Sequence, residues 1–152
     1  MSVSERLAEL GIEIPAVAKP VASYVPATIA GNLVFTAGQL PFVDGVLSET
    51  GKVGAEVTAD AAQGYARTAV LNALAATQTV IGSVDRITRI VKLVVFVASA
   101  PDFSGQPAVA NGASDILVEI FGDAGRHARS AVGVAVLPLD APVELELIVE
   151  FE

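Results

Sequence analysis

Cysteine is absent from this 152-residue chain, which removes disulfides, thiol nucleophiles and cysteine-ligated metals together. Histidine occurs once, as His127, with no neighbouring ligand motif, so no metal site is expected. Only nine residues are Lys or Arg against 17 Asp and Glu, for a formal net charge of −8. The basic residues are scattered. Nucleic-acid binding relies on clustered cations that displace counterions from phosphates, so nucleic acid is not expected as a partner. Long apolar runs are missing too. Residues 90–98 are interrupted by Lys92 and fall far short of a bilayer span. The opening Met1-Ser2-Val3-Ser4-Glu5-Arg6 lacks a basic segment followed by an apolar one, so it does not read as a secretory signal. A cytoplasmic protein without membrane contact is the expectation.

What is present is apolar surface. Hydrophobic residues make up 53% of the chain and charged ones 17%. That excludes disorder and is high for a lone domain of this length. The surplus points to a subunit interface. The chain is read as one domain, residues 1–152, with residues 1–22 as an N-terminal extension.

Ser4 is a candidate N-cap for a short amphipathic helix over 4–10, stopped by Gly11. Pro15, Pro20 and Pro26 break the following stretch. Residues 27–29 and 33–36 flank Gly31-Asn32 and read as a tight antiparallel hairpin. Residues 38–41 bend into another short strand. Residues 44–56, with Asp44-Gly45 and Thr50-Gly51, read as an exposed loop. Thr58 caps a long alanine-rich helix that Gly82-Ser83 stops, with Asp60 in its first turn. Residues 87–97 are β-branched and read as a buried strand; 108–121 is a second helix ending at Gly122; 130–137 and 143–151 are strands. In the last, Val143, Leu145, Leu147 and Val149 take one face, and Glu144, Glu146, Ile148 and Glu150 the other. The plan is α+β, with two helices packed on one face of a single mixed sheet. Gly31, Gly38, Gly122 and Gly125 lack the spacing of a phosphate loop and read as turn residues.

Four segments resemble a known family. Ser23-Tyr24 followed by residues 30–41 (AGNLVFTAGQLP) is similar to the opening of RidA (YjgF) proteins. Residues 91–97 (VKLVVFV) followed by Asp102-Phe103 are similar to their central strand and its loop. Ala128-Arg129-Ser130-Ala131-Val132 resembles their signature segment, and Leu137-Pro138 with residues 142–146 (PVELE) their C-terminal hairpin. The four occur in order and span most of residues 23–151. The resemblance implies a chorismate-mutase-like fold, a homotrimer with ligand pockets between subunits, a small carboxylate ligand, and no cofactor. It also implies hydrolysis of enamines and imines of amino acids to 2-keto acids and ammonia.

Carried over residue by residue, the resemblance makes Arg129 the clamp for a substrate carboxylate. A guanidinium fork suits that task; the competing reading is an inter-subunit salt bridge. Glu144 would position water or move protons, as a partly buried carboxylate with a raised pKa can. The competing reading is a solvated strand face, with Glu146 as the substitute. Tyr24 would wall the pocket from the adjoining subunit, or fill a subunit contact. Asn111 corresponds to a family asparagine after a shift of one residue. Ser130 would donate to the ligand or within the strand, and no base is placed to make it a nucleophile. His127 reads as a loop residue.

Two positions depart from the family. Ala37 stands where active deaminases usually carry serine, and Ala131 where they often carry cysteine. Backbone N–H groups at both positions, beside Gly38, are expected to remain available to an oxyanion. Two alternatives therefore stand beside an imine hydrolase. One is a non-catalytic binder of small keto or amino acids. The other, carried only by roles described for some relatives, is a ribonuclease or translation inhibitor.

Overall fold

Polar residues placed just before apolar periodicity start the first two helices, and glycines at positive φ end all three. The computed structural model describes residues 1–17 and 23–152; the break expected at Pro20 lies outside the described residues. Helix α1 (Val3–Leu10) is capped by Ser2 rather than Ser4. Ser2 forms a reciprocal capping box with Glu5, which satisfies two backbone donors at once. Ser4 is instead spent on a tertiary contact, its backbone N–H and hydroxyl both donating to the Asp85 carboxylate at 2.7 and 2.8 Å. Gly11 closes the helix at φ 67°.

Strands β1 (Ala27–Ala30) and β2 (Leu33–Thr36) form the expected hairpin, with Gly31 at φ 62° in the turn. Helix α2 (Ala59–Ile81) starts at Thr58, whose hydroxyl accepts from the Ala61 N–H. Helix α3 (Gln106–Phe121) begins two residues earlier than expected, because Pro107 is suited to a first helical turn. The sheet order is β1-β2-β7-β5-β6, where β5 is Ile87–Ala98, β6 is Ala128–Val134 and β7 is Val143–Phe151. Only the β5–β6 pairing is parallel, so the sheet is mixed. The expected strand 130–137 is displaced toward the N-terminus. Beyond Val134 the chain leaves the sheet, and Leu137 opens a short 3-10 turn into β7.

Alternation sets the core. Val143, Leu145, Leu147 and Val149 of β7 are buried with Leu93, Val95 and Val97 of β5 and Val34 of β2, beneath α2 and α3. A register shift in β5 between Ile90 and Lys92 lets Ile90 face the core although it lies three residues from Leu93. Alanines 62, 66, 69 and 73 of α2 are fully buried. Gly112 of α3 lies so close to the α2 backbone that a Cβ there would overlap the Gln63 carbonyl oxygen and come within 2.8 Å of its carbon. Small residues on both helices let their axes approach.

The segment 44–56 is not a simple exposed loop. Strand β3 (Phe42–Val43) pairs with β4 (Val46–Leu47). Val53 is fully buried, its N–H donating to the Ala98 carbonyl at 2.7 Å and its carbonyl accepting from Ala100 at 2.9 Å. Residues 38–41 bend the chain into β3, as expected, and within the bend Gln39 exchanges backbone hydrogen bonds with Leu145 at 2.7 and 3.0 Å. Among the described residues no helix is long and apolar enough to cross a membrane.

Candidate functional site

Strand register decides which candidates can meet. Arg129 aligns with Leu93, which aligns with Leu147, and Ala131 aligns with Val95 and so with Leu145. Arg129 and Ala131 therefore project on the helix-covered side of the sheet, at its β6 edge. Glu144 aligns with Phe96 and so with Val132; Ser130 aligns with Val94 and so with Glu146. Glu144 and Ser130 thus project from the opposite, uncovered face. Arg129 and Glu144 do not converge within one protomer, and neither do Arg129 and Ser130.

On the helix side, the Arg129 Nη1 donates to Asn111 Oδ1 at 2.8 Å and to Ser114 Oγ at 3.1 Å. Asn111 and Ser114 share one face of α3 because they are three residues apart. Asn111, matched to a family asparagine only after a shift of one residue, is thus brought into contact with the arginine. Both Nη1 hydrogens are engaged. Among the described residues neither Nε nor Nη2 forms a hydrogen bond, which leaves the planar side-on edge of the guanidinium without a protein partner there. Ser114 also meets His127 Nε2 at 2.9 Å, and His127 Nδ1 lies 2.6 Å from the Gly125 carbonyl. His127 is a loop residue, as expected, and these bonds tie it into the arginine's surroundings. Ser114 was not apparent as a site residue from sequence. The available signal was a polar pair at i, i+3, which shares one face of the helix.

On the uncovered face, the Glu144 carboxyl is half-buried, and its pKa is raised first by that burial and then by the neighbouring Glu146 carboxylate. Its side chain lies against Gly38. A Cβ at that position would overlap Oε1 and stand 3.0 Å from Cδ. Glycine at position 38 is what makes room for the carboxylate. The N–H of Ala37 is not available to an oxyanion, since it donates to the Pro26 carbonyl at 2.8 Å. Tyr24 is 53% exposed and so stands clear of this protomer's core. Around Glu144 the face carries Val94, Phe96 and Ile148, half-buried, with Val132 44% and Phe35 37% exposed. No helix covers it.

A mixed five-stranded sheet with two helices on one face defines an α+β protein of the chorismate-mutase-like class. A family model described as "YjgF/chorismate_mutase-like, putative endoribonuclease" matches residues 4–151, and the chain belongs to this YjgF (RidA) family. Protein TCP17 of Trypanosoma cruzi is 45% identical over 149 residues, covering 97% of this chain and 93% of that protein. The crystal structure of Atu1372 from Agrobacterium tumefaciens, a protein of unknown function, superposes with a TM-score of 0.91 at 44% identity, covering 99% of this chain and 92% of that one. A 2-iminobutanoate/2-iminopropanoate deaminase of Dermatophagoides farinae is 32% identical over 141 residues, covering 93% and 95%.

Proposed function

We propose that the protein hydrolyses 2-imino or enamino acids to 2-keto acids and ammonia in pockets formed between subunits of a homotrimer. The observation that carries this reading is the arginine. Arg129 is held through Nη1 by two residues of α3 and keeps its Nε/Nη2 edge for a ligand, the geometry of a bidentate carboxylate clamp. Because Glu144 lies on the other sheet face, the carboxyl that completes the site comes from a neighbouring subunit, with Gly38 and Tyr24 beside it. The uncovered apolar face supplies the surface such an assembly would bury.

In the reaction, water adds to the imine carbon as Glu144 takes its proton. The C–O bond forms, and the C=N π pair moves to nitrogen. Glu144 then returns the proton to the amine. Glu144 next takes the proton of the carbinolamine hydroxyl and passes it to the amine nitrogen, the C=O forms as the C–N bond breaks, and ammonia leaves. A carboxyl whose pKa is raised by burial suits both transfers. Positioning and proton transfer are all that this step asks of the chain. The similarity to an imine deaminase supports the substrate class.

A second reading is favoured by one observation. Ala37 offers no hydroxyl and its N–H is engaged, so the pocket could bind a keto or amino acid without turnover. Ammonia release from freshly generated 2-iminopropanoate separates the two. Acceleration that Arg129→Ala lowers at least about 100-fold, as for a lost charge-assisted clamp, supports the hydrolase. A folded oligomer that binds pyruvate but gives only the spontaneous rate supports the binder.

A further inference from the structure

The hydrogen bonds behind Arg129 run in one direction. The Gly125 carbonyl can only accept, so at 2.6 Å it fixes the proton of His127 on Nδ1. Nε2 of the neutral ring is then an acceptor, and the Ser114 hydroxyl, 2.9 Å away, donates to it. With its proton committed to His127, Ser114 Oγ presents lone pairs to the Arg129 Nη1 at 3.1 Å. The anchor is stiff. Gly125 is buried against the α3 backbone so closely that a Cβ would overlap the Leu117 carbonyl oxygen and lie 3.0 Å from Val118 Cα. The second Arg129 partner, Asn111, belongs to α3 as well.

We infer that His127 and Ser114 form a positioning relay, Gly125 to His127 to Ser114 to Arg129, that sets the rotamer of the arginine and commits its Nε/Nη2 edge to the ligand. The inference rests on the reading of Arg129 as the ligand clamp. The serine–histidine contact invites a rival reading, a nucleophile with its base. The arginine argues against it. A hydroxyl oxygen that accepts from a guanidinium has its electron density drawn away from attack, whereas the same bond holds the guanidinium in place. A free arginine loses side-chain rotamer entropy when a ligand fixes it. A relay that removes it in advance makes ligand binding tighter without touching the ligand.

Two measurements on the full-length protein test the relay. The first is calorimetric titration with pyruvate. Ser114→Ala is expected to weaken binding about tenfold, the scale of one hydrogen bond to a charged group. Ser114→Thr, which keeps the hydroxyl, should restore most of the affinity. His127→Phe, which leaves α3 untouched, should weaken binding in the same direction. Ser114→Ala combined with Arg129→Ala should bind no more weakly than Arg129→Ala alone; a merely structural serine would weaken both backgrounds alike. The second measurement needs no ligand. In nitrogen-15 spectra, rotation of the Arg129 guanidinium should be hindered in the wild type and released in both Ser114→Ala and His127→Phe, and His127 should show the Nδ1–H tautomer. If Arg129→Ala weakens binding while Ser114→Ala and His127→Phe do not, the relay is wrong and the clamp stands. If Arg129→Ala binds pyruvate as the wild type does, the clamp is wrong. The guanidinium spectra then decide the relay alone, unchanged rotation in the variants overturning it.

Discussion

Replacing Gly38 with alanine should separate catalysis from folding. The new Cβ would overlap Glu144 Oε1 and stand 3.0 Å from Cδ and 3.3 Å from Cγ, against 3.4–4 Å for ordinary contact. The three nearest atoms all belong to one half-buried side chain, which can rotate away. The φ of Gly38 is not positive, so alanine fits the backbone and restricts the unfolded chain, worth roughly 0.4–1 kcal/mol. Pushing Glu144 off its rotamer costs about 0.5–1.5 kcal/mol. The two nearly cancel, and the melting temperature should move by no more than about 3 °C. Catalysis has no such offset. The carboxyl must retreat by about 1 Å, a displacement that can lower a rate roughly 100-fold, or about 2.7 kcal/mol of transition-state free energy. The assay is ammonia release from 2-iminopropanoate, run beside thermal unfolding. Glu144→Gln should lose activity to a similar degree, and the double variant should be little worse than either single one. Wild-type turnover by a folded Gly38→Ala protein would refute the role given to Glu144.

Two further measurements probe the pH response of Glu144 and the packing of the helices. Glu144→Gln should change stability in a pH-dependent way. The folded-state pKa of Glu144 is raised, by burial first and Glu146 second, so its stabilising contribution is full below the unfolded carboxylate pKa and is lost as pH rises through the folded one. Thermal melts should therefore show the glutamine variant more stable than wild type at pH 8 and equal to it near pH 4; a constant offset would contradict the raised pKa. Gly112→Ala should destabilise despite better helix propensity. Its Cβ meets the Gln63 backbone, which cannot rotate away. Overpacking of about 3 kcal/mol less about 1 kcal/mol of propensity leaves about 2 kcal/mol, or a drop of roughly 4–8 °C in melting temperature by calorimetry. An unchanged melting temperature would mean that the two helices are not in close backbone contact.

Local chemistry along the chain determined much of the fold. Gly31 at φ 62° turns the first hairpin because glycine alone carries no penalty there. Thr58 starts α2 because its hydroxyl accepts from Ala61. The alternation from Val143 to Val149 assigned the two faces of β7 because a strand repeats every two residues. Segment 44–56 escaped this logic. Val53 and Val57 are isolated apolar residues among glycines and charges, and only pairing with Ala98 and Ala100 buries Val53. Ser4, read as the N-cap of α1, is instead engaged by Asp85, 81 residues away, and Ser2 caps the helix.

The candidate site divides in the same way. Arg129, Glu144 and Asn111 were legible as residue types in a recognisable order. Their arrangement was not, because it depends on the parallel pairing of β5 with β6 and the antiparallel pairing of β5 with β7. Those registers put Arg129 and Glu144 on opposite sides of one sheet. Packing of α3 beside β6 then decided which serine matters. Ser130 follows the arginine in sequence yet faces away from it, while Ser114, 15 residues earlier, accepts its hydrogen bond. Sequence spacing specifies the face a side chain occupies within its own strand or helix. Only the packing of one element on another specifies what that face meets.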